Sequence, residues 1–141
     1  MEKRAPSSPY SAKFSVPYCI AVGFLDGAAG LEQFTEERTT RSDVRDLAAR
    51  VDYVIDPDNE YPRNYTGHLR VTLQNGTVQE VSQPHLRGGT REPLTRQQIL
   101  AKFHANVAFG GWSDGLAVRL AEFCEGLFKA DSVGALSQFR R

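Results

Sequence analysis

The stretch "HLRVTLQNGTVQEVS", residues 68–82, decides the fold class because it carries the clearest strand pattern in the chain. Its first half alternates apolar and polar residues and ends at Asn75-Gly76, the dipeptide that most favours a tight turn between two strands. We therefore predict an antiparallel hairpin. Two registers remain open: a two-residue turn pairs Leu73 with Val78, and a bulged turn pairs Leu73 with Thr77.

A further strand is predicted before the hairpin, at "VDYVI", residues 51–55, where β-branched and aromatic residues precede the loop "DPDNEYP". A sheet of three strands is near the lower limit for stability and leaves two edges unpaired. Such a sheet leaves room for a missing strand or for a partner chain.

Helical patterns lie on both sides of these strands. The stretch "AKFSVPYCIAVGFLDG", residues 12–27, predicts a helix that begins at Pro17, ends at Gly27 and is apolar nearly all round. Ser42 is predicted to cap a short amphipathic helix that runs through Val51. The remaining helices are predicted from a capping box at Thr95 and Gln98, a closing Gly110-Gly111, a cap at Ser113 and the short segment at residues 131–139.

Segregated helices and an antiparallel hairpin indicate an α+β fold. We expect a small antiparallel sheet, made of the hairpin and at least one more strand, that is covered by helices and followed by C-terminal helices. Residues 1–11 are rich in Pro and Ser and are predicted to be a flexible N-terminal lead-in. Residues 12–141 are predicted to form a single domain, long enough to bury a core without disulfides or metal.

The composition argues against several classes of protein. Seventeen basic and seventeen acidic side chains give a formal net charge of zero, so no whole-molecule field attracts nucleic acid or an anionic membrane. No run reaches the roughly 18 apolar residues that span a bilayer, and the polar start lacks the apolar core of a signal peptide. We expect a cytoplasmic protein that needs no metal and no cofactor.

Candidate chemical groups are few, and none is assigned a catalytic role. His68, His85 and His104 lie far apart in the sequence, none has a second ligand at metal spacing, and each is expected to be structural or solvated. Arg87 and Arg91 flank Gly88-Gly89 and form a weaker candidate for an anion clamp, since two guanidinium groups can hold an anion through bidentate contacts. Ordinary surface charge explains these two arginines as well.

The start of the helix in residues 12–27 is the stronger candidate. Lys13 and Ser15 precede a first turn that carries Tyr18. A helix N-terminus presents unpaired N–H groups and partial positive charge, so it suits a carboxylate or a phosphate, and a lysine nearby strengthens that. The alternative is that Lys13 lies along the surface and Tyr18 fills the core, and the residue chemistry alone does not choose between these readings.

Four pieces, "AKFSVPYCIAVGFLDG", "LEQFTEE", "VTLQNGTV" and "LRGGTREPLTRQQILAKF", occur in this order and resemble the C-terminal part of the MmgE/PrpD family from about Ala12 onward. The family includes 2-methylcitrate dehydratases, cis-aconitate decarboxylases and iminodisuccinate epimerases. The resemblance implies an α+β lid beside a large helical domain, a cleft between them that takes small di- and tricarboxylic acids without a required metal, and a homodimer. It also implies that Tyr18, at the tyrosine of the "FSxxY" motif, faces this cleft, with weaker support for Lys13 and Ser15.

The family's acid/base histidine and aspartate lie mostly in the helical domain, which this chain lacks. We therefore expect a truncated lid-like domain of a carbon–oxygen or carboxy-lyase that is inactive alone. A helical domain on a separate chain, or a homodimer, would be its partner, and Tyr18, Lys13 and Ser15 would contact the acid. The alternative is a stand-alone, catalytically inactive module that dimerises or binds carboxylates.

Overall fold

The computed structural model describes residues 2–140. The described residues combine helices with one antiparallel pair of strands, which confirms the α+β class. They divide into two compact units, one made of the residues up to Tyr53 with those from Leu100 onward, and one made of Val54–Ile99. The elements are α1 (Pro9–Ala12), α2 (Val16–Asp26), α3 (Glu36–Thr39), α4 (Ser42–Ala49), β1 (Gly67–Thr72), β2 (Val78–Gln83), α5 (Arg96–Phe109) and α6 (Asp114–Gly126), with 3₁₀ turns at Glu2–Arg4, Leu31–Gln33, Leu127–Lys129 and Val133–Phe139.

Helix α2 forms where it is predicted, with a start that differs by one residue. It begins at Val16 rather than Pro17, because the Ser15 hydroxyl accepts a hydrogen bond from the Tyr18 N–H at 3.1 Å and so caps the helix one position earlier. Pro17 occupies the first turn, where its missing N–H costs nothing. Gly27 ends the helix with a φ of 71°, a left-handed conformation that glycine adopts without strain.

The core of the first unit lies between α2 and α4, which pack on each other. Apart from Tyr18, the buried side chains of this cluster are alanines and valines. Phe34 and Leu47 pack against this cluster from outside. The residues with no exposed surface are Ala12, Tyr18, Ala21, Val22, Val44 and Ala48.

The segment predicted as a lead-in contains helical turns that contact this core. Within α1, the Ser11 N–H donates to Ser8 Oγ at 3.2 Å and the Ser8 N–H donates to Ser11 Oγ at 3.0 Å, which is a capping box made by two serines. The 3₁₀ turn at Glu2–Arg4 contacts α2 and α4. Pro and Ser residues in this segment begin and cap a helix, so contacts with the core begin before residue 12. The single domain over residues 12–141 stays a prediction.

Helix α4 is shorter than predicted, and its cap is different. It runs over Ser42–Ala49, with Arg41 in the N-cap position, so the predicted cap at Ser42 and end at Val51 are wrong. Asp43 replaces the serine as acceptor, because its Oδ1 receives the Val44 N–H at 2.9 Å. A carboxylate in the first turn also interacts favourably with the positive end of the helix dipole.

The hairpin in the second unit has the bulged register of the two that the sequence left open. The Leu73 N–H donates to the Thr77 carbonyl at 2.8 Å, and the Gly76 N–H donates to the Leu73 carbonyl at 2.9 Å. Leu69 lies opposite Val81 in the ladder. Gly76 has a φ of 83°, which a three-residue turn with a glycine bulge requires.

The strand predicted at residues 51–55 is wrong, because the sheet of the described chain has two strands. Tyr53, Val54 and Ile55 are 88%, 93% and 81% exposed and form no ladder. Strand propensity reflects packing against neighbours, so a β-rich segment without a partner strand stays extended and unpaired. On β2, Val78 and Val81 are also exposed, so the expected helical cover is missing at these positions.

Helix α5 begins and ends, and helix α6 begins, where the capping residues predict. Thr95 Oγ1 accepts the Gln98 N–H at 3.2 Å and Gln98 Oε1 accepts the Thr95 N–H at 2.8 Å, so α5 begins with a capping box. Gly111, with a φ of 73°, follows its last turn, and the Ser113 hydroxyl caps α6. None of the helices described between residues 2 and 140 is long and apolar enough to cross a membrane.

Candidate functional site

The first candidate site is the start of α2, where Ser15 is almost fully buried. Its hydroxyl accepts the Tyr18 N–H at 3.1 Å and donates to the Lys3 carbonyl. Both hydrogen-bonding functions of this hydroxyl therefore serve the backbone. Ser15 fixes where α2 begins and ties that point to the N-terminal turn.

Tyr18 lies in the core rather than at the surface. Its side chain has no exposed area, its ring packs on Phe34 with centroids 5.7 Å apart, and its hydroxyl donates to the Gln33 carbonyl at 2.5 Å. The Gln33 side chain in turn accepts the Gly30 N–H at 2.9 Å, which stabilises the turn that presents this carbonyl. A substrate contact through the Tyr18 hydroxyl would compete with an existing buried hydrogen bond.

The environment of Tyr18 favours its protonated form. Burial raises the pKa of the Tyr18 hydroxyl above its ordinary value of 10.0, and the carboxylate of Asp26 raises this pKa further, while Arg41 opposes the shift. At neutral pH the group is therefore a phenol. It can donate a hydrogen bond or a proton, but it does not act as a base.

Lys13 is the exposed member of the predicted set. It occupies the C-cap position of α1, two residues before the cap of α2. The structure thus brings Ser15 and Tyr18 together in the interior and leaves Lys13 as the cation in solvent near the start of α2. Of the three residues, Ser15 and Tyr18 are committed to hydrogen bonds within the fold, and Lys13 is exposed.

A cluster of charges at the opposite end of α2 was not predicted. Arg41 Nη1 lies 2.7 Å from Asp26 Oδ1, Arg41 Nη2 lies 2.6 Å from Asp43 Oδ2, and Arg38 Nη1 lies 3.6 Å from Asp26 Oδ2. The hydrogen bonds that Arg41 donates to Asp43 and Asp26 raise the pKa of its guanidinium, and the bond that Asp43 accepts from Arg41 lowers the pKa of Asp43. This cluster ties the end of α2 to the helices that follow it, so its role is structural.

The second candidate site is a cleft in the unit Val54–Ile99, and it contains one of the two predicted loop arginines. Arg91 lines the cleft and Arg87 does not. Arg91 Nη1 also lies 3.5 Å from Glu60 Oε2. The cleft measures about 280 Å³ and is lined by Arg63, Asn64, Tyr65, His85, Leu86, Gly89, Thr90 and Arg91.

His68 contacts an acidic side chain on the neighbouring strand of the hairpin. His68 lies on the hairpin, with Nε2 3.1 Å from Glu80 Oε2, and Arg70 Nε lies 2.5 Å from Glu80 Oε1. The hydrogen bond from Arg70 lowers the pKa of Glu80, and His68 adds to that shift. In the part of the chain that the structure describes, no three His, Cys, Asp or Glu residues lie close enough together to hold a metal ion.

Comparison with known proteins agrees with the resemblance seen in the sequence. The family model described as the MmgE/PrpD C-terminal domain matches residues 1–114. The cis-aconitate decarboxylase of Mus musculus is 29% identical over 105 residues, which cover 73% of this chain and 21% of that protein. The cis-aconitate decarboxylase of Homo sapiens is 30% identical over 104 residues, which cover 73% of this chain and 22% of that protein.

The chain spans about a fifth of the length of these curated relatives. The match starts at residue 1, so it includes the segment that was predicted as a lead-in. It extends through α2, the hairpin and α5. Because a family model covers most of the sequence, this chain belongs to the MmgE/PrpD family and corresponds to its C-terminal domain.

Proposed function

We propose that this chain is the lid-like part of a lyase that acts on small di- or tricarboxylic acids, and that a helical partner domain completes the enzyme. The observation that carries this proposal is the match of residues 1–114 to the C-terminal domain of the family, with relatives named cis-aconitate decarboxylase. The aligned part of those relatives is about a fifth of their length. The catalytic acid and base belong, in this proposal, to the partner.

Exposed apolar side chains on and just before α2 support the need for a partner. Phe14, Val16 and Phe24 are 63%, 67% and 55% exposed. Val16 and Phe24 are eight residues apart and share one side of the helix. Exposed apolar side chains on one side of a helix are typical of interaction sites, and a helical domain or a second copy of the chain would cover them.

Within the site we assign different tasks to the three predicted residues. Lys13, the exposed cation, contacts a carboxylate of the substrate directly. Ser15 holds the start of α2, and Tyr18 reaches the acid only when its hydroxyl is released from the Gln33 carbonyl. The cytoplasm stays the predicted compartment for this activity.

The test combines the full chain with separately expressed helical domains of the family and follows cis-aconitate and 2-methylcitrate by NMR. We expect turnover in a mixture and none with either part alone. Lys13→Met should lower kcat/KM by about 10- to 100-fold, since a hydrogen bond to a charged group contributes roughly 1.5–3 kcal/mol. Lys102→Met removes another exposed lysine and is the matched control, which should keep full activity.

Two results would argue against this function. The first is the absence of turnover in every mixture, and the second is an equal loss of activity in Lys13→Met and Lys102→Met. The exposed apolar surface also favours a second candidate, a catalytically inactive module that dimerises or binds carboxylates. That candidate predicts a dimer by light scattering and a citrate-dependent rise in Tm, because any ligand of the native state stabilises it.

A further inference from the structure

The cleft in the unit Val54–Ile99 is a second place that suits an anion, separate from the residues of the proposed lyase site. Arg63 and Arg91 both line it, and no acidic residue does. Its volume of about 280 Å³ is several times the roughly 30 Å³ that one water molecule occupies in the liquid. It is close to the lower end of the about 300–1,000 Å³ of small-molecule pockets. The cleft therefore suits a small ligand rather than a lone solvent molecule.

One wall of the cleft is fixed by Asn64, which is 7% exposed. Its Nδ2 donates to the Pro84 carbonyl at 2.8 Å and to Glu60 Oε2 at 2.9 Å. These bonds tie the segment that carries Arg63 to the chain that leaves β2. Because buried polar groups of this kind are costly to leave unpaired, the wall is held in one arrangement.

The opposite wall is a loop that its own backbone closes. The Gly89 N–H donates to the Leu86 carbonyl at 2.9 Å, and the Gly88 N–H donates to the Glu92 carbonyl at 2.7 Å. A Cβ on Gly89 would lie 3.0 Å from the Leu86 carbonyl oxygen, so a side chain at this position would force the loop to shift. The loop is thus preformed, and its close turn at Gly89 requires a residue without a side chain.

His85 lines the cleft and carries a ring nitrogen that lacks a partner. Its Nδ1 atom is buried and has no hydrogen-bond partner among the described residues. A protonated Nδ1 is a donor, and the oxygen of a bound anion would satisfy it. The guanidinium groups of Arg63 and Arg91 are the charged donors in the lining, and such groups match carboxylate and phosphate oxygens in pairs.

We propose that this cleft binds a small molecule through an oxyanion group, a phosphate or a carboxylate, held between Arg63 and Arg91 with His85 as a further donor. Glu60 Oε2 lies 3.5 Å from Arg91 Nη1, so an internal carboxylate already interacts with one of these guanidinium groups. A ligand oxyanion competes with Glu60 for Arg91. Removing the charge of Glu60 should therefore strengthen binding, while removing the charge of either arginine should weaken it.

The experiment titrates the full ¹⁵N-labelled chain with sodium phosphate and, separately, with sodium acetate, at constant ionic strength set by sodium chloride. We expect saturable shifts of the amide signals of Arg63, His85 and Gly89. Arg63→Gln and Arg91→Gln should each raise Kd by about tenfold or more, as expected for loss of a charge-assisted hydrogen bond. Arg87→Gln removes an arginine of the same loop that does not line the cleft, and it should leave Kd within about twofold.

Glu60→Gln should lower Kd by a few-fold, which is the opposite of the change expected for the arginine variants. It therefore still tests the proposal if an arginine variant does not fold. Saturation by phosphate alone, or by acetate alone, identifies the oxyanion that the cleft prefers. Shifts that never saturate, an equal effect of Arg87→Gln, or unchanged affinity in Glu60→Gln would overturn the proposal. Lys13→Met should leave anion binding in the cleft intact. The test of the cleft can therefore fail or succeed independently of the test of the proposed lyase function.

Discussion

Replacement of Tyr18 by Phe isolates one buried hydrogen bond. The ring of Tyr18 has no exposed surface, and its hydroxyl donates to the carbonyl of Gln33, itself 8% exposed. Tyr18→Phe keeps the ring against Phe34 but leaves the Gln33 carbonyl without this donor. The cost of a buried unpaired acceptor is about 1–3 kcal/mol, and the loss of one oxygen changes the packing little, so we expect the free energy of unfolding to fall by that amount.

Urea unfolding followed by circular dichroism measures this change, with an unchanged m-value as the sign that the native and unfolded states keep their compactness. Tyr10→Phe is the matched control, because Tyr10 is 72% exposed and its hydroxyl faces solvent. The control should stay within about 0.5 kcal/mol of the parent chain. If Tyr18→Phe did the same, the Tyr18 hydroxyl would not be committed to Gln33, and the assignment of Lys13 as the direct anion contact would lose its basis.

Four further outcomes follow from the pKa shifts and from the positions of two glycines. The pKa of Tyr18 is raised in the folded chain. The stability that this group contributes is therefore complete below pH 10.0 and is lost as the pH rises above that value. Tyr18→Phe should flatten the alkaline part of a profile of urea stability against pH. Burial also raises the pKa of the Cys19 thiol, so a thiol reagent should modify exposed Cys124 first, as peptide mass spectrometry can show. Gly76→Ala should destabilise the hairpin by about 1–2 kcal/mol, because φ is 83° at this residue, and faster amide exchange would measure the change. Gly23→Ala should stabilise the chain by about 0.5–1 kcal/mol, because Gly23 lies inside α2 and a Cβ there meets no atom within 4 Å beyond its chain neighbours and the helix backbone.

Features that depend on residues a few positions apart could be predicted from the sequence. The capping box of α5 and the cap of α6 each rest on a side chain and a backbone group within four residues, and the end of α2 rests on the Gly27 N–H and the Gly23 carbonyl. The turn at Asn75-Gly76 is of the same kind. Local chemistry determines such features because both partners of each interaction lie in one short segment.

Features that depend on a distant partner could not be predicted. The segment at residues 51–55 has the composition of a strand, but composition does not provide a neighbouring strand with which to pair. Asp26 and Arg41 are fifteen positions apart, and only the packing of α2 against the following helices brings them within 2.7 Å. The register of the hairpin was open for a different reason: its deciding bond, between Leu73 and Thr77, is local, but glycine at residue 76 fits both turns.

The loop arginines illustrate the same limit for a binding site. In the sequence, Arg87 and Arg91 form a pair because they flank Gly88-Gly89. In the fold, Arg91 lines a cleft together with Arg63, which is twenty-eight positions earlier, and Arg87 does not line it. Gly88 has a φ of 90°, so the loop turns sharply between the two arginines. The backbone path through a left-handed residue therefore determines which of the two lines the cleft, and the sequence does not state that path.

The proposed partner surface and the proposed substrate contact are neighbours, and this gives a way to separate them. Phe14 and Val16 flank the cap of α2, so a partner that covers these side chains also approaches Lys13. Val16→Asp places a carboxylate in the first turn of the helix, where the dipole favours it, on a side chain that is 67% exposed. We expect unchanged urea stability and a loss of partner binding in sedimentation, whereas Lys13→Met should keep partner binding and lose turnover. A Val16→Asp chain that still assembles fully would mean that the apolar surface at α2 is not the contact.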